Sequence, residues 1–120
     1  LCEEAIRLAR LLVRLFPGEP EILALTALLM LQHSRSGARF DDGGTPVLLE
    51  AQDRSKWDRR LIAEGSALLE KAIRHRRPGP YQVQAAIAAL HAKAAHFEDT
   101  DWPGIAQLYG TLERMQPSRS

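Results

Sequence analysis

Asp41, Asp42, Asp53 and Asp58 crowd into one stretch, "FDDGGTPVLLEAQDRSKWD", together with Arg54, Lys56 and the indole of Trp57. Carboxylates at this density are raw material for calcium ligation or acid–base catalysis. A calcium loop needs a ladder of alternating oxygen ligands around its turn, and "DDGG" has none behind it. A phosphate cradle needs glycines leading into a helix with open amides. Here the glycines have acidic neighbours and run into apolar Val47-Leu48-Leu49. The acids have a simpler use as caps, with Asp53, Ser55 and Asp58 satisfying amides at a helix start.

The remaining chemistry-bearing residues are scattered. His33, His75, His91, His96 and the lone Cys2 have no zinc-site spacing. There is no Gly-x-Ser-x-Gly and no placed Cys–His pair. The expectation is a non-enzyme with no catalytic residues, no metal, no cofactor and no small-molecule ligand. An enzyme built on Asp41, Asp42, Asp53 and Asp58 is the contrary possibility. Basic residues outnumber acids between Arg54 and Arg77, through Arg54, Lys56, Arg59, Arg60, Lys71, Arg74, Arg76 and Arg77. Charges of both signs mix there and aromatics are not interleaved beyond Trp57, which reads as a solvated helix face more than a nucleic-acid track.

The elements that must position these residues are helices. Apolar periodicity predicts five: about 1–16, 20–34, 55–75, one opening near Pro80, and one after "EDTDWPG". Pro20, Pro80 and Pro103 sit where a first helical residue is welcome, because its absent N–H would have no partner. The second helix is the most apolar and is expected at the centre. The first is apolar on most faces beside a stripe of Glu3, Arg7, Arg10 and Arg14, so neighbours are expected on more than one side. Thr100 or Asp101 can cap the fifth helix. Gly65 interrupts an apolar face at a cost of about 1 kcal/mol, which a close helix approach would explain. Trp57, Gly65, Tyr81, Trp102 and Tyr109 are expected to be structural anchors.

Helix pairs joined by "PGEP" and "RPGPY" suggest a repeated hairpin. The spacing from Gly18 to Gly79, roughly 60 residues, exceeds the roughly 34 of a tetratricopeptide repeat. The expected fold is therefore all-α: antiparallel helical hairpins forming a diverged tetratricopeptide-like array of about five helices. A short hairpin-like insertion near residues 38–50 accounts for the extra length. "DDGG" forms its turn, Ala38-Arg39-Phe40 faces Val47-Leu48-Leu49, Pro46 limits pairing to an edge, and Leu48 and Leu49 pack back on the helices.

Composition agrees with one soluble domain. The chain has 120 residues, 45% hydrophobic and 26% charged, with a formal net charge of +1, giving no global push toward nucleic acid or an acidic membrane. No apolar run approaches the roughly 18 residues of a membrane span. A single cysteine points to a reducing, cytoplasmic setting. Because the chain opens at Leu1 within a helical pattern, residues 1–120 are expected to be one helical domain of a longer protein.

"LCEEAIRLARLL", "FPGEPEILALTALLMLQHSR", "VLLEAQDRSKWDRRLIAEG", "PGPYQVQAAIAALHAKA" and "EDTDWPGIAQLYGTLERMQPS" follow one another along nearly the whole chain. Together they resemble the C-terminal tetratricopeptide-like extension of one group of bacterial extracytoplasmic-function (ECF) RNA polymerase sigma factors. Ala51 departs from the pattern, standing where an acidic residue is expected before "QDR". The resemblance implies a non-catalytic regulatory domain that modulates promoter-specific transcription initiation. It implies partners in the sigma regions of the same parent chain or in core RNA polymerase, with promoter DNA touched only through N-terminal sigma regions that are absent from this chain. A stand-alone tetratricopeptide-like adaptor is the alternative. Within this frame the expected partner contact is Asp41, Asp42, Asp53, Arg54, Lys56 and Asp58, since the insertion breaks the repeat.

Overall fold

The computed structural model describes residues 2–116, apart from the side chain of Cys2. Five helices follow in order: α1 Cys2–Leu15, α2 Pro20–His33, α3 Arg59–Arg74, α4 Pro80–Lys93 and α5 Trp102–Met115. Among the described residues there are no named strands, only an isolated antiparallel bridge between Phe40 and Pro46. The fold is all-α. No helix among the described residues is long and apolar enough to cross a membrane.

Helix α2 is the hub, packing against α1, α3 and α4, while α5 lies on α4. Its composition makes this possible: Ala24, Ala27 and Met30 are fully buried, and Leu23, Leu28 and Leu31 nearly so. Small residues let three neighbours approach one axis, and the larger side chains interdigitate around them. Thr26 is buried among them, its hydroxyl donating to the Ile22 carbonyl at 2.9 Å. Leu23 and Ala24 meet Ala72 of α3, whereas Ala27 and Leu28 meet Leu69 and Ala85. Val83 and Ile87 of α4 carry the core onward to Ile105 of α5.

Gly65 marks the tightest approach of α3 to α2. A Cβ there would lie 3.1 Å from the Ala27 carbonyl oxygen and 3.2 Å from Leu31 Cγ, so the missing side chain is what lets the two backbones close. The turn before α4 is joined to α2 in another way. Gly79 is the N-cap of α4 and has no side chain to offer. Glu21, in the first turn of α2, supplies the missing acceptor: its carboxylate takes the Tyr81 amide at 3.0 Å and the Gln82 amide at 3.1 Å. A Cβ on Gly79 would collide with that carboxylate. Arg77 adds a donation to the Gly18 carbonyl at 2.8 Å, so the two proline-glycine turns hold one another.

Several expectations need correction. Helix α3 starts at Arg59 rather than Ser55. Residues Arg54–Lys56 form a separate 3-10 turn, and Trp57 is extended, with φ −73° and ψ 138°. At this extended position the Trp57 indole is buried in the core, 2% exposed. The Asp58 amide then donates to the Ser34 carbonyl at 2.7 Å, and Asp58 becomes the N-cap of α3. The inserted hairpin is present but short: beside the Phe40–Pro46 bridge, the Val47 amide donates to the Arg39 carbonyl at 2.8 Å and the Asp41 amide to the Thr45 carbonyl at 2.9 Å, while Pro46 brings no N–H to a ladder. Leu48 does not pack back on the helices; it is 72% exposed.

The expected structural anchors divide. Trp57 and Gly65 are buried, but Tyr81, Trp102 and Tyr109 are exposed. Trp102 covers the edges of His91 and Phe97 with ring centroids 5.5 and 5.3 Å apart, so it shields a surface patch. Helix α1 has no second neighbour over its leucine stripe: Leu8, Leu11, Leu12 and Leu15 are all exposed, as is Phe16 beyond them.

Candidate interaction site

The insertion begins as a self-contained loop. The Asp41 carboxylate accepts the amides of Gly43 at 3.0 Å and Thr45 at 2.9 Å, closing its own turn. Gly44 takes the positive φ of 80° that this turn needs. Asp42 stays exposed. Asp53 caps the 3-10 turn by accepting the Ser55 amide (3.0 Å) and hydroxyl (2.6 Å). The Ser55 hydroxyl and amide hold its carboxyl below the usual carboxylate range. Asp58 caps α3 through the amides of Arg60 and Leu61. Three of the four aspartates are thus spent on three separate local turns, not brought together. No three His, Cys, Asp or Glu side chains are grouped to hold a metal among the described residues.

Arg54 is the residue that sequence reasoning misplaced. Expected on the partner surface, it is only 8% exposed. Its Nη1 donates to the carbonyls of His91 at 2.8 Å and Ala94 at 3.0 Å, at the C-terminal end of α4. Its guanidinium lies 4.3 Å from the centroid of the Trp57 ring. A cation is favoured on both counts, by the unsatisfied carbonyls of a helix C-terminus and by the negative face of an indole. Arg54 therefore ties the insertion to the second hairpin. Lys56 beside it remains exposed.

The structure also assembles a feature with no sequence signature. A groove of about 270 Å³ opens between α2, α4 and α5. Leu28, Ile87, Ala88 and Leu112 provide its apolar lining, and Gln32, Gln84 and Tyr109 its polar one. Arg35 and His91 stand in the same groove. Arg35 is half-buried, and its guanidinium lies 6.0 Å from the Trp57 centroid, so Trp57 neighbours two arginines. No ion pair to Arg35 exists among the described residues. Burial, followed by the charges of Arg39 and Arg54, lowers the pKa of Arg35 from its ordinary value. Burial also lowers that of His91, with Arg35 and Arg54 adding to the effect. The groove is electropositive, and no carboxylate lines it.

The basic run between Arg54 and Arg77 is not one patch. Arg54 is buried, Arg59 donates to the Arg54 carbonyl at 3.3 Å, Arg74 lies 3.9 Å from Glu70, and Arg77 is committed to Gly18.

Residues 1–73 match a family of unknown function, DUF6596. The chain belongs to that family. The match takes in α1, α2, the insertion and nearly all of α3. The DUF6596 chain is also 66% identical over 118 residues to the uncharacterized protein R00370 of Rhizobium meliloti strain 1021. That alignment covers 98% of this chain and 28% of the Rhizobium protein, so the chain spans under a third of that relative's length. No solved structure matches. The second half of the groove, on α4 and α5, lies beyond the family match but within the Rhizobium alignment.

Proposed function

We propose that this chain is a non-catalytic regulatory domain of an ECF-type sigma factor, modulating promoter-specific initiation through protein contacts. The observation that carries the reading is the ordered run of five strings along nearly the whole chain that resembles the extension of those sigma factors. The Rhizobium relative supports a modular role, since most of its length lies outside the stretch it shares with this chain. Core RNA polymerase or the sigma regions of the parent are the partners, promoter DNA is bound by those sigma regions, and the setting is the cytoplasm.

The exposed leucines of α1 fit such a parent. Leu8, Leu11, Leu12 and Leu15 recur at helical spacing and leave one continuous apolar stripe uncovered. A stripe of this kind is stable in water only at a cost that a neighbouring helix removes. The rest of the parent chain is the neighbour at hand. A stand-alone adaptor is the second reading, and the electropositive groove between α2, α4 and α5 is the observation favouring it.

Promoter-dependent transcription tests the first reading. The full-length Rhizobium protein, combined with core RNA polymerase, is expected to direct transcription from its cognate promoter. Deleting the segment aligned with this chain is expected to change transcript yield. Failure to co-purify with core polymerase, or equal yield after deletion, overturns the sigma reading.

A further inference from the structure

We propose that the groove between α2, α4 and α5 takes an acidic, amphipathic protein segment. One large apolar side chain fills its floor, and a neighbouring carboxylate pairs with Arg35. The inference deepens the reading of this chain as an interaction domain and needs no sigma factor as its parent.

Charge makes the first part of the case. Arg35 is half-buried, its side chain makes no ion pair or hydrogen bond among the described residues, and its charged neighbours Arg39 and Arg54 are both cations. Those two are already engaged. Arg39 donates to the Gln32 carbonyl at 3.1 Å, and Arg54 is spent on the end of α4. Glu98 lends Arg54 some compensation, but it does not line this groove. Arg35 is thus a partly desolvated cation whose fork of donors remains available. Such a group gains more from an incoming carboxylate than a fully hydrated surface arginine would.

Shape and polarity make the second part. Leu28, Ile87 and Leu112 converge on a space of about 270 Å³, room for a large apolar side chain or two. Gln32, Gln84 and Tyr109 add amide and hydroxyl groups suited to a peptide backbone. A free inorganic anion would use Arg35 and leave the apolar floor wet. A nucleic-acid strand would need a track of cations and stacking aromatics, and here Arg35 is the single uncommitted arginine of the lining. A protein segment bearing a leucine or aromatic residue beside an Asp or Glu satisfies floor, rim and charge together.

A titration of the isotopically labelled chain with three probes tests this. The probes are a short peptide of alternating leucine and glutamate, its glutamine twin, and inorganic phosphate. The acidic peptide is expected to shift the resonances of Gln32, Gln84, Tyr109 and the Arg35 side chain saturably, and its binding is expected to weaken with added salt. The glutamine twin and phosphate are expected to leave those resonances in place. Arg35→Gln, and independently Arg35→Glu, should weaken peptide binding about tenfold or more, the order expected for a partly buried charge pair. Arg35→Lys should retain part of it, and Arg14→Glu on α1 should change it little. Each variant's thermal unfolding is recorded first, and Arg35→Gln carries the test if Arg35→Glu does not fold.

Equal shifts from the glutamine twin would overturn the reading of charge. Equal shifts from phosphate would make this a small-anion site. No saturable shift by any probe at millimolar concentration overturns the proposal. The sigma reading stands or falls in the transcription assay, whichever way this titration goes.

Discussion

Replacing Arg54 separates two views of the inserted segment. A surface arginine in a mixed charge run changes stability by no more than about 0.5 kcal/mol when truncated. In the structure Arg54 donates to two helix-terminal carbonyls, at 2.8 and 3.0 Å, and stacks 4.3 Å from the Trp57 centroid. Hydrogen bonds from a charged donor contribute roughly 1.5–3 kcal/mol each, and an indole face adds about 0.5–2 kcal/mol. Desolvation offsets much of that sum, since the guanidinium is buried and its Nη2 has no hydrogen-bond partner among the described residues. A net loss of about 2–4 kcal/mol is expected for Arg54→Ala. At about 4 °C per kcal/mol for a chain of this length, the midpoint falls by roughly 10 °C. Urea unfolding followed by far-UV circular dichroism measures it, with Lys56→Ala as the exposed neighbour expected to stay within about 0.5 kcal/mol of the parent. Arg54→Lys should recover less than half, because an ammonium lacks the fork and the planar stacking face. If Arg54→Ala and Lys56→Ala are indistinguishable, Arg54 does not hold the insertion to α4, and the reasoning fails.

Four other substitutions test other joints of the fold. Glu21→Ala removes the acceptor of two amides at the start of α4 and should cost about 1–2 kcal/mol. Gly79→Ala should be harmful with Glu21 present and nearly harmless in the Glu21→Ala background, a coupling that a double-mutant cycle reads directly. Gly65→Ala gains about 1 kcal/mol of helix propensity but presses a methyl against the Ala27 carbonyl. Overpacking costs about 1–3 kcal/mol, so the net effect in chemical denaturation should be a loss of about 1 kcal/mol. His91 is held below its ordinary pKa of 6.5, so the unfolded chain binds its proton first as pH falls. Stability from this group is complete above pH 6.5 and declines as pH drops toward the lower folded value. His91→Gln should flatten that part of the stability–pH curve, and an unchanged slope would remove His91 as its cause.

Much of the helical framework was legible because its causes are local. Pro20, Pro80 and Pro103 fall in the first turns of α2, α4 and α5, where a missing N–H costs nothing. The apolar run of α2 foretold a helix buried on most sides, and Asp101 was one of two residues named as a cap for α5. Trp57 and Gly65 also declared themselves, one as a large apolar side chain in a charged stretch and the other as a gap in an apolar face.

Other features came from pairings of residues far apart in the chain. "QDRSKWD" does not reveal that Arg54 finds its acceptors at His91 and Ala94, or that Trp57 is extended and buried between a 3-10 turn and α3. "PGEP" does not announce that Glu21 caps a helix beginning at Pro80. The periodicity of α1 shows an apolar face, but a neighbour for it exists only where the packing supplies one, and Leu8, Leu11 and Leu15 were left without. Nothing in the sequence singles out Arg35, just beyond α2. Its half-buried charge, without an ion pair among the described residues, stands in a groove that α2, α4 and α5 build together with Leu28, Ile87 and Tyr109 in its lining. Propensity and capping act over a few residues, and the sequence displays them. Desolvation and charge pairing act through space, so only the assembled helices decided which cation, Arg54, became buried as a cap and which, Arg35, stayed without an ion pair among the described residues.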